Sequence, residues 1–346
     1  MAGWVRKRDF SIGDKGIDCI DRLIIGGVSQ SILIQGESID RPVLLFIHVG
    51  PSMPLPGVSS RGQDYTIATT TKELVKHYIL VFWDQRGTGK SYSADVSSES
   101  IHLEQFIRDA YELTQYLKKK FNRKKVFLAA HSFGSLIGIH LAKRFPEEYH
   151  SYVGISQIIS WTDNDRLALQ WAKLEAEKRE NIKAINELND IGEPPYTESY
   201  KQWSVLRKWQ TKFNSLIYKG DRLKHPGFAK IMWRMISSQD YSLLDVYNTL
   251  YKSFKLTYTD TFIKDLPNIN CRNSVQNLKI PVTFIHGMKD VHVFGSLVEE
   301  YVESLIAEKG KKMIQLEKSA HLFHPDDCRK IEQLLIEEKE HLFRSL

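Results

Sequence analysis

Four short, unbroken apolar runs, each parted from the next by a stretch long enough to carry a helix, constrain this chain most. They are Val43–Ile47, Tyr78–Trp83, Val126–Ala130 and Tyr152–Ile155. A strand that is apolar on both faces is buried on both sides, the situation of a strand inside a parallel sheet covered by helices. Alternation of such runs with helical segments predicts a doubly wound, mostly parallel α/β sheet. Ahead of it, Leu23–Ile25 and Ser31–Ile34 flank Gly26-Gly27 and predict a β-hairpin. The strand signature returns at Pro281–Ile285 and Lys312–Leu316, before a closing helix through Ile331, Leu334 and Leu335.

Between the two halves the rhythm stops. Residues 161–265 are helical in pattern, charged and aromatic, and hold Trp161, Trp171, Trp203, Trp209 and Trp233, five of the seven tryptophans. The simplest account is one sheet domain, residues 1–160 and 266–346, interrupted by a helical lid over 161–265. No internal repeat or low-complexity tract competes with that account.

Composition removes several classes of function. An apolar fraction of 42% with 26% charged residues is that of an ordinary globular protein. No stretch approaches the roughly 18 apolar residues of a membrane span. The basic start, Met1 to Arg8, is not followed by an apolar region, so no secretory signal is expected. Cys19, Cys271 and Cys328 are odd in number and far apart, which reads as reduced thiols in a cytoplasmic protein. The densest basic patch, Lys118–Lys120 with Arg123–Lys125, closes a helical pattern through Phe106, Ala110, Leu113 and Leu117. Cations there complement the helix dipole, and without interleaved aromatics they do not make a nucleic-acid surface. The expected partner is a small molecule or short peptide, with no nucleic acid, membrane, metal or organic cofactor; oligomeric state is left open.

The chemistry centres on Ala130-His131-Ser132-Phe133-Gly134, between the run ending at Ala130 and the helical pattern Ser135–Ala142. A serine on so tight a strand-to-helix turn is strained, with its hydroxyl held above the sheet. Small residues are needed two before and two after it, and Ala130 and Gly134 meet that need. A serine capping an ordinary helix gives a similar string, so context decides. An oxyanion needs one amide from the residue after the nucleophile, Phe133, and one from an earlier loop. His48-Val49-Gly50-Pro51 directly follows a strand, and the Val49 amide is the candidate there. Asp290 lies just beyond the run Pro281–Ile285, and His321 beyond Lys312–Leu316. Loops at strand C-terminal ends are where α/β proteins assemble sites. Ser132 as nucleophile, His321 as base and Asp290 as its orienting acid follow in the chain order Ser, Asp, His. His131 is expected to point away from the elbow and His324 to begin the last helix, so neither serves as the base. Gly87-Thr88-Gly89-Lys90-Ser91 is not a phosphate loop, because Asp84 stands where its first glycine belongs.

Taken together, His48–Pro51, Asp84-Gln85-Arg86-Gly87-Thr88-Gly89-Lys90-Ser91, the Ser132 elbow, Gly287–Asp290 and Ser319-Ala320-His321 resemble the prolyl iminopeptidase branch of the α/β hydrolases. The resemblance spans roughly Leu23 to Ser160 and Ile280 to the C-terminus. It implies an α/β-hydrolase fold with an inserted helical lid, and a serine hydrolase that cleaves an ester or amide through an acyl-enzyme. Within it, Asp84 and Arg86 are expected to form a buried charge-assisted pair that shapes their loop. The sequence departs from the family at the acyl site. Val49 and Ser52 replace two glycines of His-Gly-Gly-Pro-Gly, and the elbow replaces Gly-Gly-Ser-Trp-Gly. In the family, acidic lid residues hold the substrate's free ammonium group; Glu175, Glu177, Glu193 and Glu198 are the acids on hand. Substrate contacts are expected between Trp161 and Trp233, and so aromatic a lid suits a partly apolar substrate. Two activities stay open: an aminopeptidase, or an esterase, lactonase or amidase with the same triad. A ligand-binding sensor of the same fold is the remaining alternative. Dehalogenase or epoxide hydrolase chemistry would need an aspartate at the elbow.

Overall fold

The computed structural model describes residues 7–220 and 224–344, so the start of the basic segment, up to Arg6, lies outside the described residues. Ten strands form: β1 (Ile17–Ile25), β2 (Val28–Gly36), β3 (Val43–Ile47), β4 (Ile79–Asp84), β5 (Val126–His131), β6 (Tyr149–Ile155), β7 (Asn277–Leu278), β8 (Val282–Gly287), β9 (Ile306–Ala307) and β10 (Lys311–Leu316). Eight make one sheet in the order β1-β2-β4-β3-β5-β6-β8-β10, and β7 with β9 form a separate short ladder. From β4 to β10 every neighbouring pair is parallel, whereas β2 runs antiparallel to both β1 and β4. The β1–β2 hairpin turns through Gly26 and Gly27, both at positive φ (+54° and +79°), the geometry of the turn that matches strand twist.

The double burial predicted for the apolar runs is met in β3. Leu45 and Ile47 pack with Phe106, Ala110, Leu113 and Leu117 of the helix Leu103–Lys120. Leu44 and Phe46 face the other way, into the cluster that holds Ile331 and Leu335 of the helix Pro325–Arg344. The chain moves from β3 to β4 on one side, then crosses to β5 on the other. Such a reversal leaves a crevice beyond the C-terminal ends of β3 and β5, where ligands of α/β proteins bind.

Between β6 and β7 the chain leaves the sheet and is helical: Trp161–Lys178, Ile182–Asp190, Tyr200–Lys212, Phe228–Ile236, a strap over residues 243–257 with a π-turn at its centre, and Asp260–Asp265. Its two ends meet. Ser160 and Asn270 form an antiparallel bridge, the Trp161 amide donates to the Ile269 carbonyl (3.0 Å), and the Cys271 amide donates to that of Ile159 (2.7 Å).

The loop after β4 corrects one expectation. Arg86 does not pair with Asp84; it makes a bidentate pair with Asp109 (Nε–Oδ2 2.8 Å, Nη2–Oδ1 2.9 Å) and donates to the Gly26 carbonyl. Asp84 instead accepts from the Val58 amide (2.7 Å), the Lys90 amide (2.9 Å) and the Tyr241 hydroxyl (2.6 Å). The physical reason is local. Asp109 presents both carboxylate oxygens to the guanidinium fork, the bidentate geometry that favours the pair, whereas those of Asp84 are turned to the Val58 and Lys90 amides and the Tyr241 hydroxyl. Burial still pushes the Asp84 carboxyl up to about 6, despite these three donors.

Candidate active site

At the end of β5 the chain turns into the helix Phe133–Arg144 within a single residue, Ser132, which takes φ +55° and ψ −122°. A non-glycine residue held there stores on the order of 1–3 kcal/mol of strain, which the surroundings must enforce. They do so by proximity. A Cβ on Gly134 would lie 2.4 Å from the His48 carbonyl oxygen and 2.7 Å from that of Ile47, so only glycine lets the helix cross the end of β3. One turn on, a Cβ on Gly138 would meet that of Ala130 at 2.9 Å.

Asp290 stands in the loop after β8 and His321 in the loop after β10, and both side chains return to the elbow. The Ser132 Oγ lies 2.9 Å from His321 Nε2, and His321 Nδ1 lies 2.9 Å from Asp290 Oδ2. All three are buried. The other Asp290 oxygen, Oδ1, accepts the amides of His292 and Val293, both at 2.9 Å, and Oδ2 also accepts from the Ser156 hydroxyl at 3.0 Å. Burial alone would raise the Asp290 carboxyl. The neighbouring His321 ring, its hydrogen bond, the His286 ring and the Val293 amide outweigh that and hold it well below the usual carboxylate range. The group is therefore an anion aimed at the imidazole Nδ1–H, which leaves the Nε2 lone pair facing Ser132.

His131 corrects a second expectation. It does not turn away from the site but lies beneath the base, its ring 5.2 Å from that of His321 and its Nε2–H donating to the His321 carbonyl (3.1 Å). The sharp elbow swings the residue before Ser132 under the loop that brings His321 back. Burial, then the neighbouring His321, depress its pKa far below the ordinary value, so it is a neutral prop. His324 caps the helix Pro325–Arg344, its Nδ1 accepting the Asp326 amide at 3.1 Å.

The two expected oxyanion donors fare differently. Among the described residues the Phe133 amide has no hydrogen-bond acceptor, as the first residue of its helix. The Val49 amide is engaged, donating to the Leu55 carbonyl at 3.3 Å. Its neighbour Gly50, at φ +48°, lines the cavity in front of Ser132, and its amide has no acceptor among the described residues.

That cavity, about 230 Å³, is walled by Phe133 and Pro51 from the sheet side and by residues of the insertion. Trp161, Asn164, Trp203 and Arg207 lie in the expected stretch; Phe254, Tyr258 and Phe262 lie beyond it. Trp171, Trp209 and Trp233 do not reach the wall, and neither do the four glutamates. Glu175 pairs with Arg179 (2.7 Å), Glu193 with Lys173 (3.5 Å), and Glu198 accepts from Gln202 (3.1 Å), while Glu177 is exposed. The charged side chain of the insertion that lines the cavity is Arg207, ion-paired with the buried Asp165 and flanked by the Trp161 and Trp203 rings at 5.7 and 5.4 Å.

Sequence reasoning passed over Ser156, His292 and Arg207. Ser156 follows β6 directly and sits at φ +44°, so the rule that sites gather at strand ends could have found it. His292 packs on His321 with ring centroids 4.7 Å apart and meets the Ser215 hydroxyl through Nδ1 at 3.0 Å. Its signal was its place two residues after Asp290. Nothing in the sequence singles out Arg207.

Comparison with known proteins agrees with this architecture. Residues 63–226 match the family model described as serine aminopeptidase, S33. Over 323 residues, 90% of this chain and 93% of the relative, the sequence is 29% identical to the probable aminopeptidase YbaC of Bacillus subtilis (strain 168). A proline iminopeptidase-related protein of Thermus thermophilus superposes with a TM-score of 0.60 at 15% identity, covering 95% of this chain and all of that one. The haloalkane dehalogenase DbeA-M1 loop variant from Bradyrhizobium elkanii does so at 0.59 and 14%, covering 95% and 99%. At such identities the two structures speak to the fold alone.

Proposed function

We propose that this chain, an α/β-hydrolase of the S33-like group, is a serine hydrolase that cleaves a small ester or amide through an acyl-enzyme on Ser132. The observation that carries the reading is the unbroken relay Asp290–His321–Ser132, with two 2.9 Å links, at the wall of an apolar cavity. In this mechanism Ser132 Oγ attacks the substrate carbonyl carbon as His321 Nε2 takes its proton. Asp290 stabilises the imidazolium without itself becoming protonated. The tetrahedral oxyanion accepts the amides of Phe133 and Gly50, the latter in place of the engaged Val49. His321 then returns the proton to the leaving alcohol or amine. A water deprotonated by the same nitrogen attacks the acyl carbon and frees Ser132.

One observation favours a non-peptidase over the aminopeptidase suggested by the name of the Bacillus relative. An aminopeptidase must hold a free ammonium group, yet the insertion offers the cavity a guanidinium, Arg207, and keeps the four candidate glutamates outside it. An uncharged acyl group between Trp161, Trp203 and Phe262 meets no such conflict.

A fluorophosphonate probe is expected to label Ser132, and Ser132→Ala to lose both labelling and turnover. Hydrolysis persisting in that variant would remove the mechanism. Short acyl p-nitrophenyl esters are expected to turn over faster than prolyl or other aminoacyl anilides. The reverse order would restore the aminopeptidase reading.

A further inference from the structure

The strap over residues 243–257 is built inside out. Its buried positions are Val246, Thr249, Ser253 and Thr257, three of them hydroxyl residues, whereas Leu243 (84% exposed), Leu244 (64%), Tyr247, Leu250, Tyr251 and Phe254 face solvent. A surface helix ordinarily does the opposite, turning its apolar stripe to the core.

The inward face is polar because of what it rests on. The Asp84–Ser91 loop, for which the proposed chemistry has no use, is its seat: Tyr241 donates to Asp84 (2.6 Å), Lys90 pairs with Asp245 (2.9 Å), and the Ser253 hydroxyl donates to the Gly87 carbonyl (2.6 Å). A Cβ on Gly89 would lie 2.1 Å from the Tyr241 oxygen, so the loop's glycine permits that contact. Polar bonding to this loop thus fixes the strap with its large apolar side chains outward. Phe254 belongs both to that outer face and to the wall of the cavity beside Ser132.

We propose that this outer face rests on an anionic lipid surface, which places the mouth of the cavity at the boundary between lipid and water. This runs against the expectation of no membrane partner drawn from the sequence. Among the described residues no helix is long and apolar enough to cross a membrane, so the attachment is peripheral. Three features select this occupant. Both acids of residues 224–257 are committed, Asp240 to Arg8 and Arg61 (3.2 Å each) and Asp245 to Lys90, which leaves Lys224, Lys230, Lys252 and Lys255 as the exposed charges. Leucines beside tyrosines and lysines, with the Lys255 ammonium 4.4 Å over the Tyr251 ring, make the side-chain set of an interfacial helix. The six apolar residues, 42% to 84% exposed along one side of the strap, form an apolar patch of the kind that marks a binding surface. A second copy would present the same exposed lysines, with both acids of this stretch already committed, so an anionic surface complements the face better than a copy of itself.

The test is co-sedimentation of the full chain with large vesicles of dioleoyl phosphatidylcholine, pure or mixed equally with dioleoyl phosphatidylglycerol. The wild type is expected to partition at least about tenfold more strongly onto the anionic vesicles. The double variants Leu243→Glu/Leu244→Glu and Lys252→Glu/Lys255→Glu are expected to stay in the supernatant with an unchanged melting temperature. Ser132→Ala is expected to pellet like the wild type, which separates binding from any failure of the proposed chemistry. A wild type that stays in the supernatant, or pellets equally on both vesicles, would overturn the proposal. So would a lipid-free dimer that Leu243→Glu/Leu244→Glu dissolves, since a second copy would then be the occupant.

Discussion

Replacing Asp290 by asparagine tests the relay at its least replaceable point. Four donors converge on this carboxylate: two backbone amides on Oδ1, and the Ser156 hydroxyl and His321 Nδ1 on Oδ2. An asparagine offers one acceptor oxygen. The amides of His292 and Val293 cannot turn, so they claim that oxygen and leave the side-chain NH2 facing Ser156 and His321. A hydroxyl can rotate to accept, but the imidazole can accept through Nδ1 only by carrying its proton on Nε2. That proton then points at Ser132 and occupies the lone pair the mechanism needs. The expected loss in kcat is about 10⁴-fold, on the order of 5 kcal/mol in the barrier, with little change in KM. The assay is steady-state hydrolysis of p-nitrophenyl butyrate at pH 7.5, with Ser132→Ala as the floor. Activity within tenfold of the wild type, against a dead Ser132→Ala, would refute the role given to Asp290. Stability supplies a second reading. Because the folded carboxyl is depressed, its contribution is present above the ordinary carboxylate pKa and is lost in acid, so the urea midpoints of variant and wild type should converge as the pH falls below 4.

Three other outcomes are expected. Gly134→Ala forces a methyl group onto the His48 and Ile47 carbonyls and should cost about 1–3 kcal/mol in urea unfolding along with most of the turnover; an unchanged midpoint would show that the elbow has slack. Arg86→Met leaves Asp109 buried without its cation and should destabilise by about 3–5 kcal/mol, with recovery in the double variant Arg86→Met/Asp109→Leu, because breaking a buried pair costs more than removing it whole. Burial depresses His48 to about 4 and holds His131 and His292 well below the ordinary histidine value, so below pH 6.5 the unfolded chain takes up protons that the folded one refuses. Asp84, raised to about 6, works in the opposite sense. Folding stability should therefore fall between pH 6.5 and 4 at roughly 1.4 kcal/mol per pH unit for each uncompensated proton, and a flat profile of urea midpoints would contradict the assignment of neutral buried histidines.

What could be read in the sequence follows from how locally each feature is determined. The sheet was legible because a doubly buried strand must be apolar on both faces, as Leu44 and Leu45 both are. Ser132, Asp290 and His321 were each legible as a polar residue just past such a run, and the structure brings them within hydrogen-bonding distance of one another. Partners chosen in three dimensions were not. Arg86 takes Asp109, 23 residues away, over Asp84, two residues away, because Asp109 turns both oxygens to the guanidinium fork while those of Asp84 are turned to Val58, Lys90 and Tyr241. Val49 lost its expected role to a carbonyl six residues on, leaving Gly50 at the cavity wall. The strap shows a different limit. Its spacing separates an apolar from a polar side, but which side turns inward depends on the polar loop beneath it, and that loop is far away in sequence.

The bridge between Ser160 and Asn270 makes a narrow doorway for more than a hundred residues. Since the chain leaves and re-enters the sheet at paired backbone positions, the intervening segment is a cassette: its length and contents can change while the strands on either side keep their register. Closing a longer or shorter loop across so small a gap adds little entropy. The aromatic wall supplied by Trp161, Trp203 and Tyr258 could thus be exchanged by graft, and the range of accepted acyl groups could drift, without moving Ser132, His321 or Asp290.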